Sequence, residues 1–334
     1  MKVVLVAVAW CLTTGLVLAQ EKWTFGEPYI WTRDDHTGNF EKQGDGYVVH
    51  YSGKEDWSLS GFSRIAVEPG EMFDLSGNVK IVSDVAGADA ETGVILRDGQ
   101  GEVVSWNYGG QVAALPGAKT ELKSHFMVPT GVSSIEPRMI GHGASSVFIE
   151  DYQIRRVGTV RDRMNPSRPK QVVIDGRDVK VILDGVSGGL TIRDTRTGRL
   201  WGREPGAIDG WLVLDAVVSP DKRQATLVML NPETTREIRA TFTVEKDAPE
   251  IQVEIASDGS LSNPLDFPSA FATRKGDRLI VPMNEGMGFP VDEEHSRLWR
   301  TIAYGGHGIC MGFFGVAEDA TGAGWMCFLE TPEE

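Results

Sequence analysis

Apolar residues in this chain repeat every second position, and beyond the N-terminal segment no long stretch repeats every 3.6. In 236–245, Ile238, Ala240, Phe242 and Val244 share one face, while Arg239, Thr241 and Thr243 share the other. Ile251, Val253 and Ile255 repeat the pattern against Gln252 and Glu254. Val179, Val181 and Leu183 do the same, as do Ala225, Leu227 and Met229. Alternation of this kind predicts antiparallel strands with one face buried and one wet. Between 190–193 and 199–201, Asp194-Thr195-Arg196-Thr197-Gly198 reads as a hairpin loop, with Gly at the left-handed position. A short helix is predicted only over 292–300.

The segment 158–170 divides the chain. It holds Pro166 and Pro169 among Arg161, Arg163, Arg168 and Lys170, and has little apolar content. Before it, strand-like runs at 47–51, 78–83, 93–96, 103–106, 123–128 and 146–154 alternate with Gly, Asp and Pro turns. Short strands at such regular spacing are the pattern of a β-sandwich. After it the strands are longer. With 334 residues, and about 100–200 per domain, two all-β domains are expected, at 20–157 and 171–334.

Segment 1–19 carries Lys2 ahead of an apolar run from Val3 to Leu18, then Val17-Leu18-Ala19. This fits a signal peptide cleaved after Ala19, with an uncleaved membrane anchor as the alternative. No lipobox-like Cys stands at the cleavage site, so the expected location is secreted or periplasmic. Cys11 leaves with the leader; Cys310 and Cys327 would be free to pair after export, or to remain buried thiols. The formal charge of −14 argues against a phosphate-binding surface, so no nucleic-acid partner is expected.

Chemistry-bearing residues are sparse. The first block contains Trp23, Tyr29, Trp31, Trp57, Trp106 and Tyr108. A sugar ring presents a flat C–H face on which an exposed aromatic ring stacks, while neighbouring polar groups bind its hydroxyls. Trp31, Trp57 and Trp106 have polar or Gly neighbours and are the candidate ligand-binding residues. The competing reading for each is a sandwich-core Trp. Glu150 and Asp151 interrupt the alternation of 148–154, which marks either a bulge or a cation site. A solvated acidic pair is preferred there to a structural calcium, and no cofactor is expected.

The six His are scattered, and no His-Glu-x-x-His, Cys-x-x-Cys or Gly-x-Ser-x-Gly occurs. Around 278–294, Asn284, Glu285 and the run Asp292-Glu293-Glu294 form the densest candidate of the second block. Two opposed carboxylates can hydrolyse a glycoside. Yet 47 acidic residues produce such neighbours by chance, and a loop or domain contact is the reading taken for Glu285.

The stretches LIVPMNEGMGFPVD, IAYGGHGICMGFFGV and GWMCFLETPEE resemble the β-supersandwich that precedes the barrel of endo-α-N-acetylgalactosaminidase-like glycoside hydrolases. The hairpin IRDTRTGRLW is similar to one in galactose-mutarotase-like sandwiches. FSRIAVEPGEMFDLSGNVK and FIEDYQIRRVG are similar to jelly-roll carbohydrate-binding modules. The resemblance implies a jelly-roll β-sandwich followed by a galactose-mutarotase-like β-supersandwich. In that family the catalytic carboxylates lie on a following (β/α)₈ barrel. Nothing in this sequence alternates strands with helices, so no catalytic residue is carried over. The expected role is a non-catalytic portion of a secreted glycoside hydrolase, binding glycan or polysaccharide and supporting a barrel that this chain lacks. A non-enzymatic surface or adhesion protein is the alternative, and an epimerase-like site at His307 or Glu285 a third.

Overall fold

A computed structural model describes residues 21–34, 38–83, 87–113, 116–202, 211–259, 265, 272–283, 286–291 and 311–330. Segment 1–19, expected to be a signal peptide, the helix expected over 292–300, and Asn284, Glu285, His295, His307 and Cys310 lie outside the described residues. The chain forms two compact units, dividing between Val160 and Arg161. Apart from α1 (Val160–Arg163), the elements are strands paired in antiparallel sheets, in line with the period-two pattern.

The first unit runs through β1 (Lys22–Thr24), β2 (Tyr29–Thr32), β3 (Gly38–Gln43), β4 (Gly46–Tyr51), β5 (Asp56–Ser60) and β6 (Ile65–Ala66). It continues with β7 (Glu71–Val82), β8 (Asp89–Arg97), β9 (Val103–Ala113), β10 (Lys119–Met127), β11 (Ser134–His142) and β12 (Ser145–Thr159). One sheet has the order β10-β7-β12-β4-β3 and the other β2-β5-β11-β8-β9. Numbering β4, β5 and β7 to β12 as successive strands of a Greek key, each sheet holds four of them in jelly-roll order. Phe73, Leu75, Val147 and Ile154 of the first sheet meet Trp57, Leu59, Val94 and Met139 of the second in one core. Gly158 and Thr159, read from sequence as part of the joint, still pair with Met72 and Glu71.

Alternation along β12 fails where the sequence placed its acidic pair. Val147 and Ile149 face the core, but so do Tyr152 and Ile154. The register against β7 shifts between Glu150 and Gln153, and Asp151 takes φ +53°. This bulge adds one residue and reverses the parity of the strand, turning Tyr152 inward. Asn78 Nδ2 donates to the Asp151 carboxylate at 3.1 Å, and Lys119 pairs with Glu150 at 2.5 Å.

The second unit begins with β13 (Gln171–Asp175), β14 (Val179–Asp184), β15 (Leu190–Asp194) and β16 (Leu200–Gly202), one sheet in that order. Next come β17 (Leu212–Val218), β18 (Gln224–Leu230), β19 (Glu237–Val244) and β20 (Ile251–Ser257), a second sheet. β21 (Asp277–Val281), β22 (Met287–Pro290), β23 (Phe313–Glu318) and β24 (Gly324–Phe328) form a third, ordered β22-β21-β23-β24. Val181, Leu183, Leu227, Ala240 and Phe242 share one core between the first two sheets. β20 departs from the expectation of a buried face: Val253 and Ile255 stay 36% and 39% exposed.

Hairpins of this unit reuse one loop. In 184–189, 194–199, 231–236 and 318–323 the first residue's N–H donates to the sixth residue's carbonyl, at 2.7–2.9 Å. The fourth residue, Ser187, Thr197, Thr234 or Thr321, accepts from the sixth residue's N–H at 3.2–3.4 Å. The fifth has positive φ in every copy and is Gly in three, Thr235 in the other. That conformation carries little penalty only for Gly.

Candidate functional site

Directly paired residues of an antiparallel sheet project to the same side. The outer face of the second sheet of the first unit can therefore be read row by row. Tyr29 pairs with Ser60, Ser60 with Arg138, and Arg138 with Gly93. In the next row Trp31 pairs with Ser58, Ser58 with Ile140, and Ile140 with Glu91. Ser58 and Ser60 are small and buried, standing between Tyr29 and Trp31 on one side and Arg138 and Ile140 on the other.

β9 adds the far edge of this face. Its register against β8 jumps between the pairs Val94–Tyr108 and Leu96–Ser105, leaving Trp106 and Asn107 together opposite Ile95. Asn107 leans over Gly93, where any Cβ would collide with its amide. The amide Nδ2 donates to Glu91 at 2.5 Å, which leaves Oδ1 buried with no partner. Arg138 Nη2 donates to the Trp106 carbonyl at 2.8 Å, and its guanidinium lies 5.7 Å from the Trp106 ring centre. Arg138 Nε is also buried without a hydrogen-bond partner, and burial lowers the pKa of this guanidinium. A donor and an acceptor thus stand unsatisfied on either side of Gly93.

Other polar groups of this face bond one another. Arg33 binds Asp56, with Nη2 to Oδ2 at 3.0 Å, and these hydrogen bonds hold the Asp56 carboxyl below its ordinary value. Tyr29 donates to Glu136 at 3.3 Å, and His142 Nδ1 meets Asp89 at 2.8 Å. Arg33 also lies 5.7 Å from the Trp31 ring centre, so each exposed indole is braced by an arginine.

The three tryptophans expected to bind ligand separate here. Trp31 is 45% and Trp106 59% exposed on the outer face; Trp57 is fully buried. Trp57 takes the competing reading of a core residue, because on β5 it shares parity with Leu59 while Ser58 and Ser60 point outward. Its indole fills the space left by Gly141, its partner on β11. Polar neighbours misled at this position, although the alternation DWSLS carried the right signal. Arg138, Asn107 and Gly93 were missed altogether, since the pairing that assembles them is not local in sequence.

Glu150 and Asp151 lie on the other sheet, engaged as described above. Among the described residues no group of three or more His, Cys, Asp or Glu side chains is arranged to hold a metal ion.

In the second unit the densest polar cluster is buried. Arg199 Nη1 donates to Glu318 at 2.7 Å, Nη2 reaches both Asp277 oxygens at 2.9 and 3.1 Å, and the guanidinium lies 4.2 Å from the Trp201 ring centre. Arg274 and Thr321 also bond Glu318, and with Thr321 the larger cause they lower its pKa. Each carboxylate is saturated by its own chain, so this cluster reads as a clasp between two sheets.

No protein-family model matches the sequence, and no curated protein matches it. Several solved structures are similar in fold. A structure titled "CBM4 structure and function" is 10% identical, covers 39% of this chain and 86% of that one, with a TM-score of 0.31. The CBM22-1–GH10 modules of Clostridium thermocellum endo-1,4-β-D-xylanase 10B with xylohexaose are 13% identical, covering 39% of this chain and 26% of that one, TM-score 0.32. TmCBM61 in complex with β-1,4-galactotriose is 17% identical, covering 40% and 90%, TM-score 0.27. At these scores the likenesses carry no weight in assigning a ligand, which has to be argued from the side chains.

Proposed function

We propose that the first unit binds a glycan on the outer face of its second sheet, with Trp31 and Trp106 as ring platforms. One observation carries the reading: two exposed indoles, each with an arginine 5.7 Å from its ring centre, stand on the same outer sheet face. Because the carboxylates of the face are already paired, the arrangement suits a neutral, hydroxyl-rich chain. Trp31 and Trp106 stand on β2 and β9, the two ends of a five-strand order. Four strand steps, about 19 Å, match a short oligosaccharide better than a single sugar.

The wider role follows from the sequence resemblance and the apolar leader: an exported, non-catalytic unit serving a glycoside hydrolase. Such a unit raises the effective concentration of a linked catalyst at its polymer. The test is a glycan array, including xylohexaose and β-1,4-galactotriose, probed with the wild-type chain. Retention of at least one hydroxyl-rich oligosaccharide is expected; no retention anywhere on the array would sink the reading.

A further inference from the structure

The bulge in β12 lies on the sheet opposite the aromatic face, yet its consequence reaches that face. By reversing the parity of the strand it sends Tyr152 through the core, where the ring packs on Phe25 and Phe62 at centroid distances of 5.0 and 5.5 Å. Gly77 on β7 permits this course, since a Cβ there would meet the edge of the Tyr152 ring. The hydroxyl emerges at the second sheet and donates to the backbone carbonyl of Arg138 at 2.6 Å. Gly93, the register partner of Arg138, lies beside the phenol as well, its backbone N–H opposing the rise in the phenol pKa. Arg138 and Gly93 are partners in the β8–β11 register, and they are the residues around which the unsatisfied donor and acceptor are arranged.

We infer that Tyr152 is a positioning residue for the glycan face, its hydroxyl fixing from beneath the β8–β11 step that carries Arg138 and Gly93. This rests on the proposed glycan reading only for its functional consequence; the positioning itself concerns the free protein. Burial pushes the phenol far above its ordinary pKa, so the proton that Arg138 O accepts stays in place across the working pH range. A hydroxyl bonded to the Arg138 carbonyl at 2.6 Å ties the ring to that strand. A ring without it would fill the same space and leave the step free to shift.

Tyr152→Phe, made in the full chain, keeps the ring and deletes the hydroxyl. Amide and side-chain NMR of the free variant should show displaced Gly93 N–H and Arg138 Nε–H resonances. Xylohexaose titration should give binding about tenfold weaker, the effect of one lost hydrogen bond. Phe62→Leu is the control: it loosens the same aromatic cluster without touching the hydroxyl, and should lower the melting temperature while leaving both resonances and affinity near wild type. An unmoved Arg138 Nε–H in folded Tyr152→Phe overturns the positioning role, as does wild-type affinity in that variant. Should the wild type itself fail to bind xylohexaose, the loss falls on the glycan reading for that sugar. The two resonances still decide whether Tyr152 positions the step.

Discussion

Arg138 in the first unit and Arg199 in the second both lie beside a tryptophan ring and both reach across strands. Arg199 sits 4.2 Å from the Trp201 ring centre, with two buried carboxylates accepting from its fork. Arg138 stands farther from Trp106, bonds one carbonyl, and keeps Nε buried without a partner. A guanidinium whose two Nη groups are both answered by buried carboxylates of its own chain holds sheets together. One that bonds a single carbonyl leaves the neighbouring indole exposed on the outer face, where the glycan platform is proposed. The difference separates structure from binding more sharply than residue type does, since both sites consist of Arg, Trp and carboxylates.

Breaking the clasp should have the largest effect. Arg199→Ala leaves the wholly buried Asp277 carboxylate unpaired, and urea unfolding should show a loss of about 3–5 kcal/mol. Arg138→Ala removes one hydrogen bond and should lose only about 1 kcal/mol. Equal destabilisation by the two variants would erase the distinction. Trp57→Ala, by cavity formation, should likewise lower stability by about 3–5 kcal/mol, whereas Trp31→Ala should unfold near the wild-type midpoint and fail to retain glycan.

A smaller effect concerns acid. Hydrogen bonds from Thr321 and Arg274 lower the Glu318 pKa in the folded chain. A depressed carboxylate contributes stability above its unfolded pKa and loses it as pH falls through the folded value. The melting temperature should therefore fall on acidification below the ordinary carboxylate range, and Glu318→Gln should flatten that part of the profile. An unchanged profile in Glu318→Gln would show that the clasp is not titrating.

Local patterns in the sequence carried the strands and missed what distant pairing assembles. Ile238, Ala240, Phe242 and Val244 are buried as their alternation implies, and the loop at 194–198 closes as its Asp and Gly require. Three further copies of that loop were legible as Ser or Thr three residues after an acid or amide, and went unread. In the last copy the Glu318 carboxylate accepts from Thr321 of its own loop and also holds Arg199, the closing residue of the second copy. No local rule foretells such a link. The same limit explains the site: Trp31 and Trp106 show in the sequence as aromatic residues in polar company, but Trp57 looks alike until its parity with Leu59 is counted. Arg138 meets Gly93 and Trp106 only once β8, β9 and β11 are paired.

Replacing Trp106 by Ala and measuring both glycan retention in affinity electrophoresis and the thermal midpoint tests the open face most directly. The side chain is 59% exposed, so the midpoint should stay close to wild type while retention of any array-positive oligosaccharide falls at least tenfold. Full retention by a folded Trp106→Ala variant would contradict the assignment of this face as the glycan platform.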